Sequence, residues 1–501
     1  LSYQSTRWEL SVRSVGGAKD PLIEPNWWEL PAILALTALL AAAEIGNWRA
    51  EDTLNIVAPV WLSLAVGASM LKMGTADSRA IWTPLFWFRV ATLVYFGLGN
   101  IAPVIMNSAS LISAQSMYFF LPEDVERVNL IAAFGVACVL SGNLICEKLF
   151  VPARASGVAR RAPRAPREAA RKGVALLLIG VGINYFILVP SSMGLIDFVV
   201  PGFIASLALC EHVGFALLAI WAFATSTTAA LGVAGLVAAE SVVGLLMLNK
   251  SWVLLPWLSF VIGALSYNLT ILRLATAGLL ISFAFGILQP LVAYGRNEAY
   301  NNPANSSEEM SLSQNLVYLR AYFDDKQEND PEAIQGSLLR VSFVNAAAFV
   351  VAQYDQGLPG DSLRNTLYSF IPRFLWPEKP VVLLGGELST LVSGEVGNQI
   401  SPGYFAEAYW NFGWIGLPLL LIPVGFFFNV TTHFAARVIE REDWLYLPIL
   451  FLSLKVGMEI VSFYIGFVGA ATQVVALYYV VKFGGQLLRS LGILRPVERG
   501  A

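Results

Sequence analysis

Histidine is nearly missing from this chain. Only two occur in 501 residues, His212 within an apolar run and His433 in a basic turn near the C-terminus. Neither lies in the one long polar segment, so a Ser-His-Asp apparatus or a histidine metal site is excluded there. Cysteine is also scarce. Cys138, Cys146 and Cys210 all fall in or beside apolar stretches, which leaves no disulfide framework and no zinc knuckle to argue. Charged residues make up only 13% of the chain, against 56% hydrophobic and a mean hydropathy of +0.63, which excludes an ordinary soluble protein of this size. The first residues, L-S-Y-Q-S-T-R-W-E-L, lack the basic-then-apolar layout of a cleavable signal, so insertion is expected to rely on the first spans themselves.

What remains is a series of long apolar runs. Spans are expected near 28–46, 54–72, 82–104, 128–147, 174–190, 200–222, 229–248, 252–268, 274–294, 412–430, 445–463 and 466–484. The expected fold class is therefore an all-α polytopic membrane protein with about 12 transmembrane helices, since each crossing needs about 20 residues. Trp27 and Trp28 mark an interfacial belt at the first span. Residues 1–27 are an N-terminal cytoplasmic segment, 28–294 a bundle of about nine spans, 412–484 the last three and 485–501 a cytoplasmic tail.

Basic residues fix the orientation. Lys148 to Lys172 holds Arg154, Arg160, Arg161, Arg164, Arg167 and Arg171, a solvated cytoplasmic loop rather than a nucleic-acid site. The turn with His433, Arg437 and Arg441 falls on the same side. Asn249-Lys250-Ser251 counts as outside and Arg273 as inside, and a re-entrant hairpin would bring both turns to one side.

Between Gly295 and Asn411 the pattern breaks for too long to be a simple connection, so this segment is expected to be a functional periplasmic loop before the last three spans. It carries seven Lys/Arg and fourteen Asp/Glu. Helical spacing at 311–323 and 337–354 predicts amphipathic helices that lie on the bilayer or cap the bundle. Arg296, Arg320, Arg340, Arg364 and Arg373, with Lys326 and Lys379, suit a phosphate-bearing ligand at the membrane surface, because a guanidinium offers paired, permanently charged donors. The alternative is pairing with the acids of the same segment. Arg373 lies among Ile371, Phe374 and Leu375, and Arg89 stands inside an apolar span, where an arginine is a functional hypothesis by default. Glu407 shares a helical face with Trp410, Asn411 and Trp414, an aromatic and polar set that suits a sugar ring; belt aromatics are the competing reading. The acidic pairs Glu51-Asp52 and Asp324-Asp325 read as solvated loops rather than a divalent-cation site.

The stretches I-P-R-F-L-W-P-E-K-P (371–380) and S-P-G-Y-F-A-E-A-Y-W-N-F-G-W-I-G (401–416) resemble the end of the large periplasmic loop of bacterial O-antigen and exopolysaccharide repeat-unit polymerases of the Wzy type. The resemblance covers roughly 45 residues and otherwise rests on layout. It implies an inverting, metal-independent glycosyltransferase of the membrane-embedded C type, without cofactor, in the bacterial inner membrane. Donor and acceptor would be undecaprenyl diphosphate-linked oligosaccharides, with membrane lipid around them and a chain-length regulator as a further partner; no nucleic acid is involved. On that reading Arg373 steadies the departing diphosphate, with Arg89, Arg296, Arg320, Arg340 and Lys379 as further anion contacts. Glu407 or Glu378 would be the base, and Tyr409, Trp410 and Asn411 would contact the sugar. The Arg-x10-Gly spacing of some members is not matched, since Gly385 and Gly386 fall slightly beyond it from Arg373. Two other readings compete. An O-antigen ligase resembles this scaffold but has a histidine in the outer loop, which is lacking here. A transporter or flippase would show internal repeats and polar residues shared among spans; Glu44, Glu211, Glu240, Lys455 and Glu459 are the residues that fit it.

Overall fold

A computed structural model describes residues 26–46, 53–101, 122–150, 166–192, 195–196, 200–301, 312–324, 341–364, 366, 368, 371, 376, 378, 384–393, 400–441 and 443–490. Helices and turns account for these residues, with no strand among them. This follows from apolar sequence, because in lipid a helix satisfies its own backbone polar groups. The principal helices are α1 (Glu29–Ile45), α2 (Thr53–Ala76), α3 (Pro84–Ala91), α4 (Pro122–Phe150), α5 (Pro166–Ile183), α6 (Cys210–Thr225), α7 (Thr227–Leu246), α8 (Lys250–Tyr267), α9 (Ile271–Asn301), α10 (Leu312–Asp324), α11 (Val344–Asp355), α12 (Leu384–Ser393), α13 (Tyr404–Glu440), α14 (Leu447–Met458) and α15 (Ala470–Ser490). Three π-helical turns interrupt them, at Thr92–Leu98 after α3, Asn184–Leu188 after α5 and Phe463–Gly469 before α15. Eight helices among the described residues are long and apolar enough to cross a membrane, against the roughly 12 spans expected; the helices within 28–46, 82–104, 252–268 and 445–463 are not among the eight. The described residues thus form an all-helical structure of membrane-spanning character.

The core is the parallel pair α4 and α13. Phe134 meets Trp414 with ring centroids 6.3 Å apart, Asn429 donates to Asn143 at 3.4 Å, and His433 pairs with Glu147 at 2.7 Å. Where they cross, a Cβ on Gly425 would overlap the Val139 carbonyl and one on Gly142 the Ile422 carbonyl. Lipid supplies no hydrophobic drive between helices, so close backbone approach at small residues and interhelical hydrogen bonds take its place.

The bundle has two chemically distinct ends. Arg79 bridges to Glu440 at 3.1 Å, Lys172 lies over the Trp444 ring, and Ser78 donates to the Ser266 carbonyl, which gathers Arg79, Lys172, Arg437 and Arg441 at one basic end. At the opposite end Arg127 meets Glu44 and Asp355, and Asn315 donates to the Leu246 carbonyl. The Asn249–Ser251 turn, next to Leu246, therefore lies at the end opposite Arg273, which follows the Ser266 contact. A re-entrant hairpin bringing both turns to one side is corrected: α7 and α8 each run from one end to the other.

Two further expectations change. Of the helix expected over 337–354, residues 337–340 lie outside the described residues, 341–343 are not helical, and α11 begins at Val344. It does not lie on the surface, because Val344, Ala346, Ala347, Ala348, Val350 and Val351 are all buried. Alanine and valine around the whole circumference make an inserted helix, not an amphipathic one. Similarly, residues 404–411, expected in the outer loop, instead dip into the bundle. Phe405 packs on Phe88 and Phe96, with the Phe96 centroid 4.7 Å away.

Candidate functional site

Gly413 makes the dip possible. Its φ of 61° and ψ of −147° lie in a region open essentially to glycine, and they reverse the chain inside α13. The Ala408 carbonyl then comes directly against Gly416, residues that an unbroken helix would hold about 12 Å apart. Residues 404–412 become a half-helix folded back on the long one. The Tyr404 amide donates to the Ile460 carbonyl at 3.0 Å, so its first turn meets the turn between α14 and α15 inside the protein.

Glu407 sits on this half-helix, fully buried. Its Oε1 accepts from Ser362 Oγ at 2.8 Å and the Tyr464 amide at 3.1 Å; Oε2 accepts from Ser462 Oγ and the Phe463 amide, both at 2.7 Å. The two amides are the first of the helical run that leads into α15, so the carboxylate also meets the positive end of a helix dipole. Four donors occupy it and no face is open. The expectation that Glu407 acts as base is corrected: the carboxylate fastens three segments together. Asn411 belongs to the same node, donating to Ser362 Oγ at 2.9 Å and to the Glu407 carbonyl at 2.8 Å. Trp410 is 8% exposed, and its indole N–H donates to the Leu358 carbonyl at 3.3 Å. These two side chains hold the 358–362 turn rather than face a sugar. Trp414 lies past the reversal and so leaves the shared face, stacking edge-on with Tyr409 at 5.2 Å.

Tyr409 is different. Its hydroxyl donates to Asp355 Oδ1 at 2.8 Å and accepts from Arg127 at 3.1 Å, while Arg127 bridges to Asp355 Oδ2 at 2.8 Å. Arg127 and Asp355 are 31% and 30% exposed, so this triad forms a charged rim where α4, α11 and the half-helix meet. Beside it, the turn through Ser362 carries Asp361 and Arg364, which are 72% and 79% exposed and 3.9 Å apart.

Arg89 is not part of this rim. It is 3% exposed and pairs with Glu29 through two bonds, Nε to Oε1 at 2.8 Å and Nη2 to Oε2 at 2.6 Å. It stands in the last turn of α3 and meets Glu29 at the first residue of α1. Its fork is already filled by a carboxylate, which corrects its assignment as an anion contact.

Arg320 is exposed on α10, and Glu378 is exposed in a turn. Arg296 lies in α9 with its side chain outside the described residues; Arg340, Arg373 and Lys379 lie outside them entirely. So do Glu51, Asp52 and Asp325. No grouping of three or more His, Cys, Asp or Glu able to hold a metal occurs among the described residues. Sequence reasoning missed Arg127, Asp355, Ser362 and Ser462. Arg127 carried the only signal, a lone cation closing an acidic run. Comparison with known proteins yields nothing: no family model, curated protein or solved structure matches the chain.

Proposed function

We propose that the chain is a membrane glycosyltransferase that polymerises lipid-linked repeat units, moving a growing glycan from undecaprenyl diphosphate to the non-reducing end of the acceptor. The observation that carries this reading is the turn at 358–364. It rests on the half-helix bearing F-A-E-A-Y-W-N, the stretch on which the resemblance to repeat-unit polymerases depends, and it exposes Arg364 beside the Arg127–Asp355–Tyr409 rim. By the positive-inside rule the basic end faces the cytoplasm and the rim faces the periplasm. In the reaction an acceptor hydroxyl attacks the anomeric carbon, and the bond from that carbon to the diphosphate oxygen breaks. Negative charge gathers on the departing oxygen, where Arg364 and Arg373 stabilise it, and the hydroxyl proton passes to a carboxylate such as Glu378. No metal is invoked.

A second reading is favoured by one observation. The half-helix and the Phe463 turn place two helix starts inside the bundle, as in transporters built on discontinuous helices. Reconstitution with a lipid-linked oligosaccharide separates the two. Dimers and higher multiples of the repeat, lost in Arg364→Ala and Arg373→Ala, support polymerisation. Movement of unextended repeats across the bilayer would instead support transport.

A further inference from the structure

Within the spans lies a second carboxylate site, on helices that take no part in the rim. Glu211 opens α6, Glu240 stands six residues before the end of α7, and both belong to helices apolar and long enough to cross a membrane. They are brought together by the π-helical turn that follows α5. There Asn184 donates through Nδ2 to Glu211 Oε2, and the neighbouring Tyr185 hydroxyl donates to Glu240 Oε2 at 2.8 Å. Asn184 and Tyr185 are consecutive residues, so the two carboxylates they hold come together where the π turn, α6 and α7 meet. Gly180 lets α5 lie directly on the Glu211 backbone, since a Cβ there would overlap the Glu211 amide. An extra residue per turn in a π segment commonly marks a functional position.

Counting donors shows what is missing. Glu407, equally buried, has four protein donors for its two oxygens. Glu211 is 1% exposed, and its Oε1 is enclosed with no hydrogen-bond partner. A buried acceptor without a donor is costly, and two carboxylates side by side in an apolar span cannot both be ionised cheaply. One added proton addresses both problems, because it lowers the charge of the pair to one and turns an acceptor without a donor into a carboxylic acid that can itself donate.

We propose that Glu211 and Glu240 form a proton-binding site inside the membrane-spanning bundle, holding one proton between them with Asn184 and Tyr185 as its fixed partners. Binding takes the proton from water and leaves the pair with a single negative charge. Other groups face away or lie at a distance. His212, next in sequence, stacks on Phe451 of α14 with centroids 5.6 Å apart, and on that helix Lys455 bridges to Glu459 at 3.4 Å. Cys210 is a buried thiol beside Glu211, and α8 carries a charge only at its first residue, Lys250. Because α5, α6 and α7 each supply a member, proton occupancy is linked to how these helices pack. The inference is independent of the proposed glycan chemistry.

Infrared difference spectroscopy of the full chain in lipid nanodiscs, titrated through the neutral range, tests it. The wild type should show a protonated-carboxyl C=O stretch that shifts in deuterium oxide. Glu211→Gln should lose that band while remaining monodisperse and helical, and Tyr185→Phe should move its titration to higher pH. Dye-detected release on alkalinisation should differ between wild type and Glu211→Gln by a single proton. A band that persists in both Glu211→Gln and Glu240→Gln overturns the proposal. So does a wild type with no such band, including one whose carboxylate bands respond to sodium instead.

Discussion

At the scale of single residues, the informative contrast is between three buried ions with different partners. Arg89 and Glu29 satisfy one another, so removing either strands a charge in an apolar span, at a cost of about 3–5 kcal/mol. Arg89→Ala and Glu29→Ala should therefore both lower the melting temperature of the solubilised protein sharply. The double replacement Glu29→Leu with Arg89→Met should recover most of it, together with activity. A stable but inactive double variant would return Arg89 to the substrate. Glu407 presents another case, since one backbone amide points at each carboxylate oxygen. However the amide of Glu407→Gln is turned, its NH2 faces one of those N–H groups, which costs about 1–3 kcal/mol. Loss of activity in Glu407→Gln should track loss of thermal stability; inactivity with unchanged melting would make it a catalytic base after all.

At the scale of elements, the half-helix 404–412 depends on its hinge. Gly413→Ala places a Cβ in a backbone region that L-residues avoid and 2.6 Å from the Tyr354 hydroxyl, so about 1–3 kcal/mol of strain and a displaced half-helix are expected. Reduced protection of Tyr409 and Trp410 amides in hydrogen exchange would register that displacement, and unchanged exchange would argue against the hinge. This element also marks where the sequence stopped being legible. The expected span boundary at 411/412 falls beside Gly413, but aromatic residues preceding a span read equally well as an interfacial belt and as an inserted helix. The same ambiguity hid α11, whose apolar spacing suited a surface helix until the alanines on its other face proved buried. Long apolar runs with charged turns were legible because one physical requirement, burying the backbone in lipid, dictates them. Arg89–Glu29, Glu407–Ser462 and Arg127–Asp355 were not, since each joins residues far apart in the chain whose meeting depends on packing.

At the scale of the whole molecule, the separation of a basic end from the rim-bearing end sets the topology. Cysteines introduced singly at Asp361 and Lys250 should react with an impermeant maleimide from one side of the membrane, and those at Arg273 and Arg441 from the other. Labelling of Lys250→Cys and Arg273→Cys from the same side would contradict the path traced by α7 and α8. The polar node at Glu407 and the rim at Arg127–Asp355–Tyr409 share the half-helix, whereas the carboxylate pair at Glu211–Glu240 lies on other helices and is open to separate test. The glycan chemistry is decided by purified protein in liposomes with a single lipid-linked oligosaccharide and chelator present. A ladder of repeat multiples, abolished by Arg373→Ala and Arg364→Ala in folded protein, is the expected result. An unextended substrate with wild-type protein, or ladders unchanged in both variants, would contradict it.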